Sequence, residues 1–251
     1  MNTRVFNILT AVIVTVSGAS MFGCDAGILL SDADPMQVIS LEGQSGKDSL
    51  RADGNSNPRV LPIGSNAYGK TYGEWAAEYW KLIASFPFEV NPQFDPDGRF
   101  CADGQSGEVW FLAATFGFGT PVRSCDVPVG KAIFFPIVPA VFFAPDDGPD
   151  EATVRALANE SMDGVTTLEC TVDGIPLEDL FDQRAESPAF TLPDTVLGGG
   201  GDRFPAVADG FWIMLAPLSE GEHEIHFSME ITEGPFAGNS HDVTYLLTVG
   251  E

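Results

Sequence analysis

Apolar residues recur along the chain in three rhythms, and each predicts a different element. Tyr72, Trp75, Tyr79, Leu82, Ile83 and Phe86 fall three and four residues apart, the spacing of one helix face, and Trp80 widens the stripe. Thr71 with Glu74 forms a capping box, and Pro87 closes the segment. Rings on such a face can serve as a sugar platform. Far more often a stripe of this kind is buried, and here it is expected to lie across a sheet edge or a barrel mouth. A second helix is predicted from Asp150 to Met162, with Val154, Leu157, Ala158 and Met162 on one face, acidic residues at its positive end, and Asp163-Gly164 ending it.

The second rhythm is alternation. Leu168, Cys170 and Val172 point one way and Thr167, Glu169 and Thr171 the other, as in a strand with one buried face. Asp173-Gly174 is a strong hairpin turn. A closing hairpin follows from Glu222–Thr232 and Asp242–Val249, the latter with Val243, Tyr245, Leu247 and Val249 on one face. The third rhythm is none at all. Glu108–Phe116, Lys131–Pro139 and Phe211–Leu215, the last launched by Ala208-Asp209-Gly210, are nearly continuous apolar runs, as strands buried on both faces would be. Pro136 and Pro139 must then sit at strand ends or bulges. From Leu177 to Arg203 the chain reads as loop, with four glycines at Gly198–Gly201. A phosphate cradle is excluded there, since no strand leads in and no GK[ST] follows. The fold expected from this pattern is mainly β: a two-sheet, β-sandwich or jelly-roll-like single domain over residues 58–251, with two packed α-helices.

Residues 1–23 read as a signal peptide, with Arg4 as the positive end and Val5–Val16 as an apolar stretch too short to span a bilayer comfortably. Met21-Phe22-Gly23-Cys24 is similar to a bacterial lipobox, although Phe22 departs from its usual small residue, so Cys24 is the expected lipidation site. Ordinary cleavage after Ser17-Gly18-Ala19 is the alternative. Residues 24–57 are rich in Ser, Asp, Gly and Asn and read as a disordered acidic and polar tether, because they hold too little apolar surface to offset ordering entropy. The expected location is therefore the cell envelope, membrane-anchored on the periplasmic face or the cell surface. Soluble secretion is the other reading.

Charge narrows the partners. The chain carries 36 acidic and 12 basic residues, a net charge of −24, and loss of residues 1–23 would remove one Arg to give 11 − 36 = −25. No basic footprint for nucleic acid exists, and an anionic membrane surface is disfavoured. In an exported protein Cys101 and Cys125, flanking a hairpin-like excursion, are expected to form a disulfide that contributes roughly 3 kcal/mol. Cys170 reads as a buried free thiol, which argues against cysteine catalysis.

The chemistry is sparse. Asp95-Pro96-Asp97-Gly98, with Asp103 nearby, is half of a calcium loop, but it lacks the third acidic ligand and the bidentate Glu. Asp146 and Asp147 form a second acidic turn. Glu224 and His226 share a strand face and could hold a divalent metal if His241 or Asp242 supplied a third ligand. No cofactor is predicted, with calcium the candidate kept open at the acidic loops. A Ser-His-Asp enzyme would show a G-x-S-x-G elbow, and none is present. Glu74 and Glu78 could be nominated as a glycosidase pair, but a solvated helix face explains them.

Beyond these patterns, YGEW at Tyr72–Trp75, CADGQSGEVWFLA, SCDVPVGKAIFFPI, TVDGIPL, DQRAESPAF and ADGFWIMLAPLSEGEHEIHF resemble a family of uncharacterised exported bacterial proteins. The resemblance runs from about Tyr68 to the C-terminus. It implies export and one fold unit, and brings no activity, substrate or catalytic residue. The expected function is a non-catalytic envelope module that binds glycan or an envelope protein. The rival is an extracellular hydrolase of polysaccharide, using acidic residues of the Asp95–Asp103 and Asp146–Glu151 loops brought to one end of the sandwich.

Overall fold

The computed structural model describes residues 59–116, 119–193, 195 and 201–251. The signal peptide, Cys24, the tether and Gly198–Gly200 lie outside the described residues. Within them the helices are α1 (Tyr72–Ala84) and α2 (Glu151–Asp163). The strands are β1 (Val109–Phe111), β2 (Val122–Pro128), β3 (Ala132–Phe143), β4 (Val165–Val172), β5 (Ile175–Pro176), β6 (Phe190–Leu192), β7 (Arg203–Leu215), β8 (Gly221–Ile231) and β9 (Ser240–Gly250). They form a four-stranded sheet in the order β1-β3-β7-β6 and a five-stranded sheet in the order β2-β9-β8-β4-β5. The domain is mainly β and sandwich-like, as the pattern predicts.

The two strand rhythms have a direct structural cause. The four-stranded sheet is covered on both faces. Ile133, Phe135, Ile213 and Leu215 join the core shared with the second sheet, while Phe134, Trp212 and Met214 join a separate core under α1. Both faces of β3 and β7 are therefore dry, and the sequence reads as one apolar run. The five-stranded sheet turns Ile225, Phe227, Val243, Tyr245 and Leu247 inward. Its other face, with Glu222, Glu224 and Leu246, is exposed, so β8 and β9 alternate.

A bulge reconciles the prolines with β3. The register against β7 shifts between Pro136 and Val138, which lets Pro136 and Pro139 stay inside one long strand. The shift also exchanges the two faces. Before it Ile133, Phe135 and Ile137 point to the sandwich core, and after it Val138, Ala140 and Phe142 do.

Helix α1 has its capping box: the Glu74 carboxylate accepts from the Thr71 N–H at 2.8 Å and the Thr71 hydroxyl accepts from the Glu74 N–H at 3.2 Å. Tyr72, Ala76, Tyr79, Trp80 and Ile83 are buried. The helix lies over the open face of the four-stranded sheet, not at its edge. Tyr79 meets Trp212 edge-on at 5.3 Å, and Trp212 stacks on Phe134 at 5.3 Å. Helix α2 packs on β3 and β7.

Four expectations change. The 108–116 run makes only the short strand β1. The segment between Cys101 and Cys125 is not a hairpin, since β1 belongs to one sheet and β2 to the other. Residues 177–203 contain β6 and a 3-10 turn at Leu180–Gln183. Ala208-Asp209-Gly210, read as the launch into Phe211–Leu215, lies inside β7, which starts at Arg203.

Candidate functional site

Arg123 is the polar centre of the molecule. It sits on the inward side of β2, where alternation would place an apolar residue, and it is 1% exposed. Its Nε donates to the Asp95 carbonyl at 2.7 Å. Its Nη1 reaches the carbonyls of Ala113 (2.7 Å) and Ala114 (3.1 Å) and the Tyr245 hydroxyl (2.9 Å), and its Nη2 reaches the Gln93 carbonyl at 3.3 Å. The Tyr245 hydroxyl in turn accepts from the Ala113 N–H and donates to the Ala113 carbonyl, and the Tyr79 hydroxyl accepts from the Ala114 N–H. Burial raises both phenols above the ordinary tyrosine range, which keeps them neutral. This hub draws the chain out of the sheet after Phe111, which is why the apolar run stops being a strand.

The hub also fixes a row of rings at the surface. Asn91 donates to the Ile83 carbonyl and accepts from the Gln93 N–H, and Thr115 donates to the Gln93 carbonyl. Between and beside these anchors, Phe88 and Phe94 lie 4.3 Å apart by ring centroid, and Phe94 stacks on Phe116 at 5.2 Å. Phe88 is 55% exposed. Apolar rings held at a surface by a buried polar scaffold are a feature of binding surfaces.

The acidic residues singled out by the sequence fall into two places. The Asp95 carboxylate is buried and accepts the N–H groups of Asp97 (3.2 Å) and Phe100 (2.8 Å), which shapes its own loop. Asp97 is exposed, and a two-pronged bond from Arg99 holds its carboxyl well below the usual carboxylate range. Asp103 is exposed in the following turn. This loop is fastened to β2, where the Ser124 N–H donates to the Asp97 carbonyl, and Gly98 has no room for a Cβ against Ser124. The second acidic turn leaves the far end of β3. There the Asp147 carboxylate accepts the Phe143 N–H, burial pushing its carboxyl up, and Asp146 pairs with Arg203 at 2.6 Å. Since β1 pairs with Ala132–Phe134 and the second turn follows Phe143, the two loops are roughly 30 Å apart along the sheet. They do not share a cleft.

On the solvent face of the five-stranded sheet His226 approaches Asp242 at 3.1 Å, with Glu224 two residues away on the same strand. His241 points inward instead, 7% exposed, and its Nε2 donates to the Ile137 carbonyl at 2.6 Å. Burial pushes its pKa down to about 4. Among the described residues no three metal-ligating side chains converge.

Two arrangements escaped the sequence. The Asp209 carboxylate, in mid-strand and 1% exposed, accepts from Arg184 Nε (2.9 Å) and Nη2 (2.7 Å), and the same guanidinium reaches Asp163 and the Asn159 carbonyl. This fastens α2 and the segment before β6 to β7. Their separation in sequence left no local signal. Secondly, His223 lies 2.8 Å from Asp173 through Nδ1 and 3.4 Å from the Ser219 hydroxyl through Nε2, an order that suggests a catalytic triad. The same Nε2 is only 2.9 Å from the Ser219 carbonyl, an acceptor, so it points an N–H at the main chain and has no lone pair for the hydroxyl. The ring clamps two turns.

Cys101 and Cys125 are bridged, with Cα atoms 5.9 Å apart, and Cys170 is a buried thiol that burial keeps protonated. No family model and no curated protein sequence matches the chain. Solved structures similar to part of it include the cysteine protease inhibitor EhICP2 from Entamoeba histolytica, at 12% identity over 56% of this chain and 95% of that one, with a TM-score of 0.23. Another is PbICP-C in complex with falcipain-2, at 11% identity over 57% of this chain and 99% of that one, also at 0.23. At that level of overlap nothing about those proteins carries over.

Proposed function

We propose that this is an exported cell-envelope protein, anchored by lipid at Cys24, whose folded part is a non-catalytic module that binds glycan or another envelope protein. One observation carries the non-catalytic reading. Among the described residues, buried groups of acid or base type hold chain segments together, Arg123 and Tyr245 in the hub, Asp209 on Arg184 and His241 on the Ile137 carbonyl, and burial keeps the Cys170 thiol protonated. The Phe88–Phe94–Phe116 row is the surface we assign to binding, because the hub holds it in place. The acidic loops nominated for hydrolysis stand apart and are tied by Arg99 and Arg203.

Mature protein and a Phe88→Ala variant, screened by thermal shift against polysaccharides and by pull-down from envelope extracts, test the assignment. A ligand that raises Tm of the native protein and is lost on Phe88→Ala supports it. Turnover of any polysaccharide, or binding untouched by Phe88→Ala, overturns it. The anchor is tested separately: Cys24→Ala is expected to move the protein from the membrane to the soluble fraction, and unchanged partition refutes lipidation.

A further inference from the structure

We propose that the Asp95–Pro96 peptide bond is a self-cleavage site, cut by the side chain of Asp95 with Arg123 as the donor to its carbonyl. Two Asp-Pro bonds occur in the chain, Asp34–Pro35 and Asp95–Pro96. Such a bond is chemically weak. The aspartate carboxylate can close a five-membered ring on its own carbonyl carbon, and the tertiary amide nitrogen of proline is the more basic leaving group.

The structure surrounds the second of these bonds with the parts of that reaction. Asp95 is 2% exposed, and its Oδ1 accepts the Asp97 N–H at 3.2 Å while its Oδ2 accepts the Phe100 N–H at 2.8 Å. Reaching those groups folds the carboxylate forward alongside the Asp95–Pro96 peptide unit, the side from which the ring closes, and each oxygen keeps further lone pairs. The Asp95 carbonyl oxygen accepts from Arg123 Nε at 2.7 Å. A buried guanidinium fixed there stands where negative charge develops during the attack. Pro96 is exposed, so solvent reaches the departing nitrogen.

An Oδ1 lone pair bonds the Asp95 carbonyl carbon, and the carbonyl π electrons move onto the oxygen held by Arg123 Nε–H. The C=O re-forms as the C–N bond breaks. The Pro96 nitrogen leaves with the bonding pair and takes a proton from solvent water. The cyclic anhydride then adds one water and opens to the Asp95 side-chain carboxylate and a new α-carboxylate. Nothing is oxidised or reduced, and no external substrate is turned over. The cut parts Phe88 and Phe94 from Phe116, while α1, buried on the four-stranded sheet, keeps the two pieces packed together.

The test follows purified mature protein in mildly acidic buffer by denaturing gel and mass spectrometry. Expected are two chains, one ending at Asp95 and one beginning at Pro96, together heavier than the intact chain by one water. The Asp95 bond should be cut at least about tenfold faster than Asp34–Pro35, and that preference should vanish in urea. Hydroxylamine present during the reaction should be found as a hydroxamate on Asp95, the mark of an anhydride. Arg123→Met is expected to slow the cut about tenfold or more in protein that still melts cooperatively. No cut in the folded protein, equal cutting at both Asp-Pro bonds, or a preference for Asp95 that survives in urea overturns the proposal.

Discussion

His241 shows how a single residue can be misread when only its neighbours in sequence are considered. Beside Asp242 it is a candidate metal ligand, but strand alternation turns it inward, where the Ile137 carbonyl accepts a hydrogen bond from its Nε2–H and burial lowers its pKa to about 4. Its unfolded value is near 6.5, so the neutral ring supports the fold fully above that pH, and the support is lost as pH falls from about 6.5 to about 4. The loss amounts to about 3 kcal/mol. Half-buried Asp147 and buried Asp209 act in the opposite sense, since their raised folded values favour the native state as pH falls. Urea unfolding at pH 7 and pH 4 of the native protein and of His241→Asn separates the two effects. The native protein is expected to lose more stability than the variant across that interval, and equal losses would show that His241 is not the sensor. The capping residues Thr71 and Glu74 were legible from sequence because their partners are three positions away. Arg123 was not, since each of its partners is nine or more positions distant.

At the scale of elements, alternation and continuous apolar runs translated directly into β8, β9, β3 and β7. Asp209-Gly210 did not, and the reason is packing. A Cβ on Gly210 would lie 2.6 Å from the Val138 carbonyl oxygen, so the glycine serves close strand contact inside β7 and does not mark where the strand begins. Gly73 makes the same point for α1. Its missing Cβ would stand 2.1 Å from the Glu186 carbonyl oxygen. That segment cannot retreat, because Ala185 and Ser187 donate to the Gly210 and Ala208 carbonyls and Arg155 pairs with Glu186. Gly73→Ala would gain about 1 kcal/mol of intrinsic helix preference. The clash is nevertheless expected to dominate, for a net loss of about 2 kcal/mol and a Tm lower by roughly 4–8 °C. A Tm at or above that of the native protein would mean that α1 is free to shift.

For the molecule as a whole, the Cys101–Cys125 bridge, with a sequence separation of 24, closes a segment that crosses from one sheet to the other. By loop entropy it contributes roughly 3 kcal/mol. The double Cys→Ala variant is expected to lose about that much unfolding free energy, with a lower urea midpoint and a somewhat larger m-value because the uncrosslinked denatured chain exposes more surface, and non-reducing peptide mapping of the native protein should find the two cysteines linked. An unaltered midpoint would mean that the Arg123 hub alone holds the crossing. The sequence by itself determined the fold class, both helices, the covered and uncovered sheets and the cysteine pairing, because periodicity and capping act locally and an expected oxidising compartment favours a bridge between Cys101 and Cys125. Only the tertiary structure decided the parity switch at Pro136–Val138 and the separation of the two acidic loops. It also decided the convergence of residues 93, 95, 113, 114 and 245 on one arginine. Those depend on contacts between segments far apart in the chain, and a long-range polar contact leaves no period in the sequence that forms it.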